Sequence, residues 1–61
     1  MRYFIVYLTR NLITGSIHIN NKEINYYKEI NSKQDIEKIE KEIGNYCIKV
    51  TIINYIKLQD E

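Results

Sequence analysis

Apolar side chains dominate both rows of the first ten positions. Between Arg2 and Arg10 the chain reads Tyr3, Phe4, Ile5, Val6, Tyr7, Leu8 and Thr9. Aromatic and β-branched residues of this kind suit a pleated surface, so the segment predicts a strand. Phe4, Val6 and Leu8 point to one side; Tyr3, Ile5, Tyr7 and Thr9 point to the other. Residues 11–15 predict a turn, because Asn11 and Gly15 tolerate left-handed backbone. A second strand over Ser16–Asn20 should return antiparallel to the first, with Ile17 and Ile19 on one side and His18 on the other. The Asn20–Asn21 pair predicts another turn. Residues 22–30 predict a short extended segment, a candidate fourth strand.

The spacing then changes from two to between three and four. Ser32 followed by Asp35 approximates a capping box with Asp in place of Glu. Ile36, Ile39 and Ile43 recur at helical spacing, and Gly44 marks the stop. The apolar stripe is narrow, so this helix packs on one surface only. Residues 46–58 return to strand alternation. Ile48, Val50, Ile52, Ile56 and Leu58 share one side, while Ile53 and Tyr55 lie with Cys47, Lys49, Thr51 and Lys57 on the other. Asp60 and Glu61 form a short acidic tail.

The elements predict a single α+β domain over residues 1–61: an antiparallel sheet of three to four strands with one helix on one face, in the order ββ(β)αβ. One short helix can shelter only one side of such a sheet. We expect it to cover Phe4, Val6, Leu8, Ile48, Val50, Ile52 and Ile56. The opposite side would show Tyr3, Ile5, Tyr7, Ile53 and Tyr55, flanked by Arg2 and Arg10. Tyrosine gives large contact area at low entropic cost. Those seven residues are therefore the expected partner-binding set, facing a second copy or another protein.

Length sharpens that expectation. The chain has 61 residues, and a chain this small buries only about 60% of its unfolded surface. Small domains compensate with disulfides, metals, very regular packing or self-association. One cysteine, Cys47, excludes an internal disulfide, and one histidine, His18, leaves too few ligands for a closed zinc site. No cofactor is expected, since the two glycines are too far apart for a phosphate loop. No enzymatic role is expected: no Ser-His-Asp set accompanies His18, its one formal partner for nucleophilic chemistry is Cys47, and Cys47 has only Lys49 nearby in sequence to make its setting electropositive. The longest apolar run is too short to cross a membrane, and the expected location is the cytoplasm.

The net charge is +1, so there is no global attraction to nucleic acid. Arg2, Arg10 and Lys22 make the first 22 residues mildly basic, and six acids make residues 23–42 mildly acidic. Tyr3 and Tyr7 beside Arg2 and Arg10 could form a stacking platform for a single strand, with the positive groove thin. A homodimeric nucleic-acid-binding module and a nucleotide-binding sponge are the alternatives to a protein-binding role.

Ile, Asn, Lys and Tyr supply 33 of the 61 residues, and Ala, Pro and Trp are absent. All four favoured residues have A/T-rich codons, which points to a low-GC genome. The Tyr-Phe-Ile-Val-Tyr opening strand, the Gly-containing turn, the Ile-Glu-Lys-Ile-Glu helix and the Val-Thr-Ile-Ile-Asn closing strand resemble small phage and prophage proteins of low-GC bacteria. That resemblance implies a non-catalytic inhibitor of a host defence system, of the anti-CRISPR type. Its partner would be a host protein such as a CRISPR effector. No family site residue carries over with it.

Overall fold

The computed structural model describes residues 1–59, so the acidic tail lies outside the described residues. Strand β1 (Arg2–Asn11) is followed by β2 (Ile17–Asn25), helix α1 (Lys33–Ile43) and β3 (Ile48–Lys57). The three strands form one antiparallel sheet in the order β2-β1-β3, with the N-terminal strand in the middle. The fold class is α+β, as the pattern predicts. The turn after β1 is closed by Gly15, whose φ of 80° suits a residue without Cβ. The Asn11 side chain accepts from the N–H groups of Ile13 and Thr14.

Two local expectations are corrected. There is no turn at Asn20–Asn21; both lie inside β2, opposite Tyr7 and Val6. The would-be fourth strand is absent among the described residues: 22–25 complete β2, and the chain beyond them runs irregularly to the helix. Nine paired positions on β1 outweigh the local turn preference of two asparagines.

Helix α1 begins where the capping residues place it. The Ser32 hydroxyl accepts from the N–H of Asp35 at 3.3 Å and donates to its carboxylate at 3.1 Å. At the other end Gly44 has φ −83° and ψ 179°, so no left-handed stop occurs there. Glycine is needed for room instead. A Cβ at this position would sit 2.8 Å from the Ile48 carbonyl oxygen and 3.1 Å from that of Glu40.

The core is small and lies between α1 and the face of β1 that carries Tyr3 and Ile5. These two side chains, at 1% and 0% exposure, pack with Tyr26, Ile30 and Ile39. Tyr7, Ile24, Ile36, Ile43 and Ile52 close around them. The helix therefore covers the tyrosine row, and the expected assignment of the two faces is reversed along β1.

Register explains the reversal. Tyr7 lies opposite Ile52 and Thr9 opposite Val50, so Ile48, Val50 and Ile52 share the face of Tyr7, not that of Leu8. Val6 lies opposite Asn54, which leaves Ile53 without a partner, the signature of a bulge. The extra residue shifts the phase of β3. Beyond it Tyr55 joins the helix side opposite Ile5, and Ile56 turns to the free side opposite Phe4.

Candidate protein-binding surface

Pairing across the sheet defines a face that no helix covers. β1 contributes Phe4, Val6 and Leu8 to it. β2 adds Ile17 and Ile19, opposite Arg10 and Leu8, and β3 adds Ile56, opposite Phe4. Phe4, Val6 and Leu8 are half-buried by their neighbours alone, while Ile17, Ile19 and Ile56 are 57%, 68% and 56% exposed. Polar groups frame this apolar band. At one end the Arg2 guanidinium bonds the Glu23 carboxylate at 2.9 Å and donates to the Gln59 carbonyl at 2.9 Å. At the other end Arg10 lies opposite Lys49. Neither of those two cations has an acidic partner among the described residues. Apolar patches with a polar rim are characteristic of interaction surfaces.

The seven residues expected to bind a partner are distributed differently from that expectation. Tyr3 and Ile5 are in the core and have no surface to offer; Tyr7 packs against that core. Tyr55 is 41% exposed on the helix side, with its ring edge-on to Tyr3 at 6.0 Å. Ile53 projects from the bulge and is 54% exposed. Arg2 is committed to Glu23 and Gln59, and Arg10 lies exposed at the end of the helix-free face. A stacking platform built on Tyr3 is thereby excluded, because its ring is sequestered. Tyr3 is buried at low cost because its hydroxyl accepts from the Ile30 N–H at 2.9 Å.

The helix start contains the only buried charge among the described residues. Asp35, the acidic member of the cap, is 3% exposed. Its carboxylate accepts from the Tyr26 hydroxyl at 3.1 Å, the Asn31 N–H at 3.2 Å and the Ser32 hydroxyl at 3.1 Å, and pairs with Lys28 at 3.2 Å. Burial pushes its pKa up. The bonds from Asn31, Lys28, Tyr26 and Ser32 outweigh burial and lower it from the ordinary 3.8 to about 2. The Tyr26 phenol shifts upward, through burial first and then its bond to Asp35. Ser32-x-x-Asp35 identifies the cap in the sequence; nothing local announces that Tyr26 folds back onto it. This cluster organises structure, and its polar atoms are spent on one another.

An apolar groove of about 440 Å³ runs beside the C-terminal end of α1, lined by Leu12, Gly44, Tyr46, Ile48 and Val50 together with Glu37 and Lys41. No buried side-chain nitrogen or oxygen is left unpartnered among the described residues. Among the described residues no three His, Cys, Asp or Glu side chains gather as a metal site, and no helix is long and apolar enough to cross a membrane. His18 is on β2 opposite Thr9, and Cys47 is a half-buried free thiol immediately before β3. No family model matches the chain, and no curated protein or solved structure matches it.

Proposed function

We propose that this chain is a non-catalytic protein-binding module that docks through the helix-free face of its sheet. The observation that carries this reading is the row Phe4, Val6 and Leu8 on the central strand, which has no second layer over it. Burying such a row removes apolar area from water at about 25 cal/mol per Å². The complementary surface is apolar at its centre, with a carboxylate-bearing edge to meet Arg10 and Lys49. The sequence resemblance to small phage proteins ranks inhibition of a host defence effector, a CRISPR effector among them, as the first function to examine. The cytoplasm of a bacterial host is the matching compartment.

The test is affinity capture from a lysate of a low-GC bacterium with the tagged chain, alongside Val6→Lys and, on the helix, Lys38→Glu. A protein held by the wild type and the helix variant but lost with Val6→Lys supports the reading. Purified effector should then lose activity at a one-to-one ratio. Recovery of the bait alone, or of partners insensitive to Val6→Lys, counts against it.

A further inference from the structure

The two edges of the sheet are treated unequally. The outer edge of β3 is occupied. The N–H of Ile52 donates to the Glu40 carboxylate at 2.7 Å, Ile48 and Asn45 exchange backbone bonds at 3.0 and 3.2 Å, and Ile53 interrupts the strand with its bulge. Side chains, loops and bulges that block an edge in this way prevent further strand pairing.

The outer edge of β2 has none of these devices. Its ladder to β1 begins with the Asn11 N–H on the Ser16 carbonyl and ends with the Met1 and Tyr26 backbones bonding each other at 2.7 and 2.8 Å. Register between these points is unbroken. Alternation therefore turns the even-numbered residues of β2 toward β1 and directs the N–H and C=O of Ile17, Ile19, Asn21, Glu23 and Asn25 outward. Among the described residues nothing bonds to those outward groups. All of β2 except Ile24 is exposed, and the strand contains no proline, bulge or covering helix.

We propose that β2 pairs antiparallel with β2 of a second copy, joining two three-stranded sheets into one of six strands. A two-fold axis normal to the sheet keeps each face continuous, so opposed residues must share a face. The outward row is odd-numbered, and three of its registers differ in charge. An axis at Glu23 sets Glu23 against Glu23. An axis between the outward residues at Lys22 sets Lys22 against Lys22. Like charges directly opposed are unfavourable. An axis at Asn21, the middle of the nine-residue strand, gives full overlap. Ile17 then meets Asn25, Ile19 meets Glu23, His18 meets Ile24, Asn20 meets Lys22, and the two Asn21 side chains face each other. No like charges are directly opposed, and about ten backbone hydrogen bonds form. This edge is separate from the helix-free face, which stays open on both copies and becomes continuous across the pair.

The experiment is sedimentation equilibrium of the full chain up to about 1 mM, a range suited to a modest interface. Two variants accompany it, Asn21→Pro and Asn21→Lys. The proline removes only an outward N–H, which an edge strand tolerates. The lysine sets two cations on the axis. The wild type should dimerise, and both variants should sediment as monomers with unchanged circular dichroism. In a Cys47→Ser background, Asn21→Cys should oxidise to a covalent dimer, since opposed Cα atoms about 5.5 Å apart fit a disulfide. Glu23→Cys, which faces Ile19, should not. A wild type that stays monomeric overturns the proposal, whether or not the edge accepts a strand from another protein. So does a dimer that survives both Asn21 variants and dissociates with Val6→Lys, which would place the contact on the sheet face.

Discussion

The hydroxyl of Tyr3 accepts a hydrogen bond from the backbone N–H of Ile30 at 2.9 Å, across 27 positions of sequence. That bond ties the middle strand to the irregular segment leading into α1. Tyr3→Phe leaves the Ile30 donor buried and unpaired, which costs about 1–3 kcal/mol. Urea denaturation should show the midpoint moving down with little change in slope.

The two faces of β1 should respond oppositely to charge. Ile5 is wholly enclosed, so Ile5→Lys buries an unpaired ammonium and should unfold the chain. Val6, the next residue, faces the uncovered side, and Val6→Lys should change stability by less than about 1 kcal/mol. Circular dichroism melts of the pair test the face assignment. A folded Ile5→Lys protein would contradict it.

Acid should weaken the fold through Asp35. Its folded pKa of about 2 lies below the ordinary 3.8. The carboxylate therefore contributes stability that is fully present above pH 3.8 and is lost as pH falls through 2. Tyr26 shifts the other way, so its contribution is present below pH 10.0 and declines as pH rises beyond that. Asp35→Asn should flatten the acid limb of a stability–pH curve and lower the plateau above it. An acid limb unchanged in this variant would assign the dependence to other carboxylates.

Gly44→Ala places a methyl group 2.8 Å from a backbone carbonyl that cannot move without displacing β3. The expected loss is about 1–3 kcal/mol, typical of overpacking. Because Gly44 has negative φ, the penalty is steric. Asn at this position should therefore be at least as harmful as Ala, the reverse of what a left-handed helix stop would give. Thermal melts of the two variants distinguish the causes.

At Ile53 neither the side chain nor the residue itself is needed for the pairing of β1 with β3. Ile53→Ala removes an exposed group and should be nearly neutral, within about 0.5 kcal/mol. Deleting Ile53 removes only the extra residue of the bulge and leaves Ile52, Asn54 and Tyr55 opposite Tyr7, Val6 and Ile5 in one regular ladder. That variant should fold with Tyr55 still on the helix side, its β1 amides protected from hydrogen exchange about as well as in the wild type.

Much of this molecule is written locally. Six apolar positions in a row make β1, Asn11 and Gly15 place the turn, Ser32 and Asp35 start the helix, and Ile36, Ile39 and Ile43 give it one sticky side. Those features, and the shortage of helix that leaves one sheet face bare, follow from side-chain chemistry over a few residues. Which face is bare was decided only in three dimensions. Both rows of β1 are apolar, so alternation has two equivalent solutions. Burial of Tyr3 wins where Ile30 can satisfy its hydroxyl, and the Ile53 bulge then brings Tyr55 to the same side. Tyr26 and Asp35 find each other for the same reason: their bond joins positions whose approach depends on the path of the chain between β2 and α1, and no spacing in the sequence encodes that path.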